Sequence, residues 1–132
     1  MTPNDSPYKS KGGFARVFNA TRYSAQGLAA AFKHEAAFRQ ELLLVALLLP
    51  VAVWISRSIG ELLLLIGALL LILVIELLNS ALEALADTIT VEHHPMIGRA
   101  KDLGSAAVML SILFCGLVWL CVIASHIWQM KL

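Results

Sequence analysis

Charge is scarce in this chain: 14% of its 132 residues are Lys, Arg, Asp or Glu, against roughly 25% in soluble domains. The formal net charge is +1, so no basic surface offers itself to nucleic acid, and that class of partner is excluded. Cysteine is nearly absent. Cys115 and Cys121 lie six apart in an apolar, helix-prone stretch and point to different faces. That spacing excludes a mutual disulfide or a shared metal and leaves both as packing residues. No GxxxxGK[ST] string occurs, and Gly12-Gly13 does not replace it, so a nucleotide site here is not of the P-loop type. No secretory leader is expected, because the first apolar run comes late, is too long and lacks a small-residue cleavage site. Residues 1–12 are polar, include Pro3 and Pro7, and are expected to form a disordered tail.

Apolar residues dominate instead. They make up 59% of the chain, where a soluble domain holds about 45–50%, so one small helical membrane domain is expected. Three stretches are long enough to cross a bilayer: 36–55, with Pro50 inside it, 60–86, and 102–125. The first link, Ser56-Arg57-Ser58, is short. The second, about Thr88 to Gly98, is polar and carries Glu92, His93, His94 and Pro95. Lys9, Lys11, Arg16, Arg22, Lys33 and Arg39 precede or begin the first span, and Arg99 and Lys101 close the second link, whereas Arg57 and Lys131 fall on the opposite side. The positive-inside rule then places the N-terminus and second link in the cytoplasm and the C-terminus outside. Residues 13–34 mix Phe14, Val17, Phe18, Tyr23, Leu28 and Phe32 with Arg16, Arg22, Gln26 and Lys33. This pattern predicts an amphipathic surface helix, or two short ones broken near Gly27. Trp54, Trp119 and Trp128 suit interfacial anchoring.

The chemistry concentrates on the second span. Glu76 ends a run of fourteen uncharged residues, Leu62 to Ile75, and Asn79, Ser80, Glu83 and Asp87 follow on the same helical face. A carboxylate inside a membrane span costs roughly 2.5–3.5 kcal/mol at the centre and less near the edge, so it is functional by default. Taking Glu61 as the outer boundary, Glu76 lies about 22 Å further in at ~1.5 Å per residue, just inside the cytoplasmic edge of a ~30 Å core. Glu83 falls at the water interface and Asp87 beyond it.

The same level gathers Glu35, Arg39, Arg99, Lys101, Asp102 and Ser105 from the starts of the first and third spans. On spacing alone Glu35 and Arg39 read as an i,i+4 ion pair, His93-His94 as a solvated loop, and Lys101-Asp102 as either a topology-setting patch or part of a site. Acids that can hold Mg2+ beside cations that can neutralise phosphate suit phosphoryl transfer, with one carboxylate left to accept a proton. Proton-coupled transport with Glu76 as carrier is a competing reading. It needs a path to both sides, whereas the acids cluster at one end and the outer half of the second span is apolar apart from Gly67. A structural or regulatory membrane subunit is a third.

The strings HEAAFRQE (34–41), ELLNSALEALAD (76–87) and GRAKDLGSAAV (98–108) closely resemble the small integral-membrane diacylglycerol kinases of Gram-negative bacteria. The resemblance runs from about Gly13 to Trp128. It implies a homotrimer of subunits with three transmembrane helices and a surface helix, transferring phosphate from MgATP to diacylglycerol at the inner membrane, with sites between subunits. By motif position it implies Glu76 as general base with Asn79 beside it, and Glu35 and Glu83 as metal-holding carboxylates. It implies ATP contacts from Arg16, Tyr23, Ser24, Glu35, Glu83, Asp87, Glu92, His94, Lys101 and Asp102. For the lipid it implies Arg16, Ala37, Phe38, Arg39, Gln40, Glu41, Trp54, Glu76 and Ser105. The chain departs from the family pattern at Ala25, Phe32, His34, His93 and the His94-Pro95 pair, which flank the acids rather than replace them. A related Gram-positive branch phosphorylates undecaprenol, an alternative acceptor with the same primary hydroxyl.

Overall fold

A computed structural model describes residues 12–89 and 92–132. The expected tail over 1–11, with Lys9 and Lys11, lies outside the described residues, as do Thr90 and Val91 of the second link. Four helices make up the described chain, with no strand among the described residues: α1 Phe14–His34, α2 Ala36–Ile55, α3 Ile59–Ile89 and α4 Pro95–Met130. The expected all-α class holds, and α2, α3 and α4 are each long and apolar enough to cross a membrane.

The chain divides into two compact units, one ending at His34 and one beginning at Glu35. In the first, Gly13 takes φ 87°, a left-handed conformation open to glycine, and its carbonyl accepts from Arg16 N–H at 3.1 Å to start α1. The helix is a single piece. Gly27 costs about 1 kcal/mol in a helix interior, and the neighbouring Ala25, Ala29, Ala30 and Ala31 offset it with the strongest helix propensity. Lys33 and His34 occupy the last turn, where the helix dipole favours positive charge.

In the second unit α3 packs against both α2 and α4, and more extensively against α4. Its buried side chains include Leu65, Ala68, Leu69, Ile72, Glu76 and Ser80, steps of three and four that trace one seam. The answering stripe on α4 is Ser111, Cys115, Trp119 and Val122. Leu65, Leu69 and Ile72 form one apolar core with Cys115, Trp119, Val122 and Ala52 of α2. Trp119 is therefore a core residue rather than an interfacial anchor, because it falls on the inward stripe of α4. Trp54 and Trp128 remain exposed at helix ends. Cys115 is buried and Cys121 exposed, as their spacing requires.

At ~1.5 Å per residue, α3 and α4 extend about 46 and 54 Å, beyond a ~30 Å hydrocarbon core. Both therefore overrun the spans drawn from hydropathy and take up most of the second link. α4 starts at Pro95, a residue suited to the first helical position, after His94 as N-cap. At the opposite end Ser58 caps α3 by accepting from Glu61 N–H at 3.1 Å.

A polar cluster joins that end of α3 to the end of α4. Arg57 donates through Nη2 to Glu61 Oε1 at 3.0 Å and to Ser125 Oγ at 2.8 Å, and through Nη1 to Gln129 Oε1. His126 Nε2 lies 3.4 Å from Glu61 Oε2. Arg57 thus does more than bias topology. Arg57→Ala should lower the thermal midpoint by a few degrees and, in a bilayer of matched thickness, leave activity per folded molecule unchanged, measured by paired melting and turnover assays. A selective loss of turnover at an unaltered midpoint would contradict this.

Candidate functional site

The apolar seam of α3 ends in an acid. Glu76 continues the Leu65–Leu69–Ile72 stripe by one turn and is 4% exposed. Ser80, one turn on, donates to Glu76 Oε1 at 3.5 Å. Further carboxylates gather at this level, from the start of α2 and from α3 itself. Those of Glu35, Glu41 and Glu83 are close enough to that of Glu76 to interact with it electrostatically. Glu35 is the N-cap of α2, yet its side chain makes no capping hydrogen bond, so the carboxylate is not consumed by helix initiation. Glu41 Oε2 and Asn79 Oδ1 are buried without a hydrogen-bond partner. Asn79 Nδ2 donates to Glu83 Oε1 at 3.4 Å, which fixes one oxygen of that carboxylate.

Among the described residues no three His, Cys, Asp or Glu side chains converge into a closed metal cage. A nucleotide-bound divalent cation does not need one. Mg2+ commonly takes one or two carboxylates and completes its shell with phosphates and water. Glu35 and Glu83 supply hard oxygen donors, and the mutual repulsion of the gathered carboxylates is what a divalent cation would offset. The donor set therefore fits such an ion.

One turn beyond Glu83, a pocket of about 410 Å³ is lined by Asp87, Glu92, His93, His94, Ile97, Gly98 and Lys101. Its size falls within the usual range for small-molecule sites. Lys101 Nζ pairs with Asp87 Oδ1 at 3.1 Å, tying the end of α3 to the start of α4. His94 Nδ1 accepts from Met96 N–H at 3.2 Å. This cap places the ring proton on Nε2, leaving one N–H donor for a ligand.

The structure thus brings Asp87, Glu92, His94 and Lys101 into one pocket, and Glu35, Glu41 and Glu83 around Glu76. Asp102 is exposed and does not line the pocket. Along α2, Phe38 is buried while Ala37, Arg39 and Gln40 are exposed, and Ser105 of α4 is exposed. Trp54 stands apart, about 20 Å of helix rise from Glu41. Arg16, Tyr23 and Ser24 lie on α1, in the other unit, where Ser24 Oγ turns back to Ala20 O at 2.9 Å. Sequence reasoning missed the His94 cap, the Asp87–Lys101 pair, and Ile97 and Gly98 in the pocket wall. An Asp near one helix end and a Lys near the next helix start carried a charge signal for the pair, but no local periodicity did.

Residues 22–123 match the family model described as prokaryotic diacylglycerol kinase. The chain belongs to that family. Among curated proteins, the diacylglycerol kinase of Pseudomonas aeruginosa is 47% identical over 119 residues, covering 90% of this chain and 95% of the relative. That of Escherichia coli K12 is 44% identical over 114 residues, covering 86% and 93%. That of Helicobacter pylori 26695 is 38% identical over 119 residues, covering 90% and 92%. All the acids around Glu76 and every pocket residue of this kinase lie inside the matched segment, whereas Arg16 precedes it. The family and the three apolar helices make it a multi-pass membrane enzyme, one that uses ATP as kinases do.

Proposed function

We propose that the chain transfers the γ-phosphate of ATP to the hydroxyl of diacylglycerol, giving phosphatidic acid at the cytoplasmic face of a bacterial inner membrane. The observation that carries this is Glu76: a carboxylate 4% exposed, at the end of an apolar helix seam, with two more acids further along the same helix toward a pocket. Such a base can meet a hydroxyl that arrives from lipid while the nucleotide arrives from water. The names of the relatives support diacylglycerol as the acceptor.

In this reaction Glu76 accepts the hydroxyl proton as the lipid oxygen bonds to the γ-phosphorus. The bond from that phosphorus to the β–γ bridging oxygen breaks, and ADP leaves with the electron pair. Glu35 and Glu83 would hold Mg2+, which when bound neutralises charge on the phosphates. Asn79 keeps the Glu83 carboxylate oriented, and Lys101 exchanges Asp87 for a phosphate oxygen. Glu92 and Asp102 complete the nucleotide contacts. Ala37, Arg39, Gln40, Glu41 and Ser105 meet the polar end of the lipid, with Phe38 buried behind them, and Trp54, so far along α2, meets only its acyl end. The N-terminus and the α3–α4 link face the cytoplasm, by the distribution of Arg and Lys. A homotrimer assembles the full site. The long exposed apolar side chains of α2 and α4, such as Leu43, Leu47, Leu113 and Leu117, suit contact with further copies and with lipid.

The test is purified protein in lipid with labelled ATP, diacylglycerol and undecaprenol. Labelled phosphatidic acid is expected. Transfer to undecaprenol alone would reassign the acceptor, and no transfer by a folded sample would overturn the proposal. The His94 cap permits a finer test. His94→Asn keeps a good N-cap and removes the ring N–H, so it should raise KM for ATP several-fold at an unchanged melting midpoint. His94→Ala should also lower the midpoint, by the ~1 kcal/mol that a lost cap costs. Equal midpoints for the two would contradict the capping role.

A further inference from the structure

Eight glycines occur in the chain, and one of them meets a side chain where its Cβ would be. A Cβ built at Gly104 overlaps Oδ1 of Asn79 and comes within 3.4 Å of Asn79 Cγ and 3.9 Å of Leu82 Cδ1. At Gly12, Gly13, Gly27, Gly67, Gly98 and Gly116 nothing lies within 4 Å, and at Gly60 the contact is an ordinary 3.7 Å. Glycine weakens a helix interior, so α4 gives up helix propensity at position 104. The space it leaves is filled by the amide of Asn79.

We infer that Gly104 is a positioning residue for phosphoryl transfer: the missing Cβ lets the Asn79 amide lie against α4 in the rotamer that donates to Glu83. The inference rests on the roles proposed above for Asn79 and Glu83. Asn79 Oδ1 is buried and has no hydrogen-bond partner. Its position is therefore held by packing against position 104 rather than by a donor. Among the described residues, the directional tie on the amide is Nδ2 to Glu83 Oε1 at 3.4 Å. A methyl at 104 meets the far end of the Asn79 side chain, which is the part able to move. Rotation about its side-chain torsions clears the clash, but it also swings Nδ2 off Glu83 and frees that carboxylate to reorient.

Gly104→Ala should therefore fold, since alanine is the better helix former, and still lose turnover. Partners that orient a metal ligand typically contribute 10–100-fold, so kcat should fall about that far with little change in KM for the lipid. Gly116→Ala, on the same helix with open space around it, is the control and should behave as the parent. The deciding readouts are the side-chain amide resonance of Asn79, assigned by its loss in Asn79→Ala, and the kinetics of the Gly104→Ala/Asn79→Ala double variant. A shifted amide resonance in Gly104→Ala, and a double variant no worse than Asn79→Ala alone, support the inference. If Asn79→Ala loses turnover but the resonance stays put and the two losses multiply, the Gly104 inference fails alone. Full turnover by Asn79→Ala overturns the role given to Asn79, and that of Gly104 with it.

Discussion

Glu76→Gln should abolish turnover while the protein folds and binds nucleotide as before. The glutamine side chain has the shape of the glutamate, and its carbonyl oxygen can still accept from Ser80 Oγ, so the 3.5 Å contact survives. What disappears is the proton acceptor. Positioned general bases contribute about 10²–10⁴-fold, and the loss should lie in kcat within that range. Affinity for the nucleotide should change little, because the pocket begins at Asp87, about 16 Å of helix rise away. The thermal midpoint should hold or rise, since a carboxylate in an apolar seam is replaced by a neutral amide. Turnover near that of the parent would remove Glu76 from the role of base. Turnover lost together with the fold would make it a structural residue.

Glu83→Gln should fail in a different way. The new side chain keeps an oxygen for Asn79 Nδ2, so the local hydrogen bond at 3.4 Å is retained, but the negative charge facing the cation is gone. Half-saturating Mg2+ should rise at least ~10-fold, and turnover at fixed metal should fall by about 10–100-fold. Raising the metal concentration should recover part of the loss. The Glu76 variant should show no such recovery, because no amount of cation supplies a base. Identical Mg2+ dependence in the two variants would sink the division of labour between base and metal ligand.

Much of this was legible in the residues because it depends on local pattern. Helix periodicity put Glu76, Asn79, Ser80, Glu83 and Asp87 on one face, and the long apolar runs marked α2, α3 and α4. The break at Ser56–Ser58 followed from a polar triplet between two such runs. Hydropathy could not show that α3 and α4 continue past the apolar windows, because polar residues outside a membrane are as helical as those within it. Nor could it show which tryptophan turns inward, since that depends on the rotational phase of α4 against α3. The Asp87–Lys101 pair and the Gly104–Asn79 contact join residues from different helices. Pairings of this kind are set by packing depth and register, which no single segment encodes. The burial of Glu41 Oε2 is of the same sort.

The Arg57–Glu61 cluster at one end and the Asp87–Lys101 pair at the other bind α3 to α4 at two points about 39 Å apart along α3. With both ends tied, the pair resists sliding, and Glu76 sits at a set height between them. On the proposed reading the protein is then a yardstick for the bilayer. In lipids whose chains bring the acceptor hydroxyl to the height of Glu76 the reaction runs well. In thicker or thinner bilayers it slows, and a series of lipids of graded chain length would trace out that optimum.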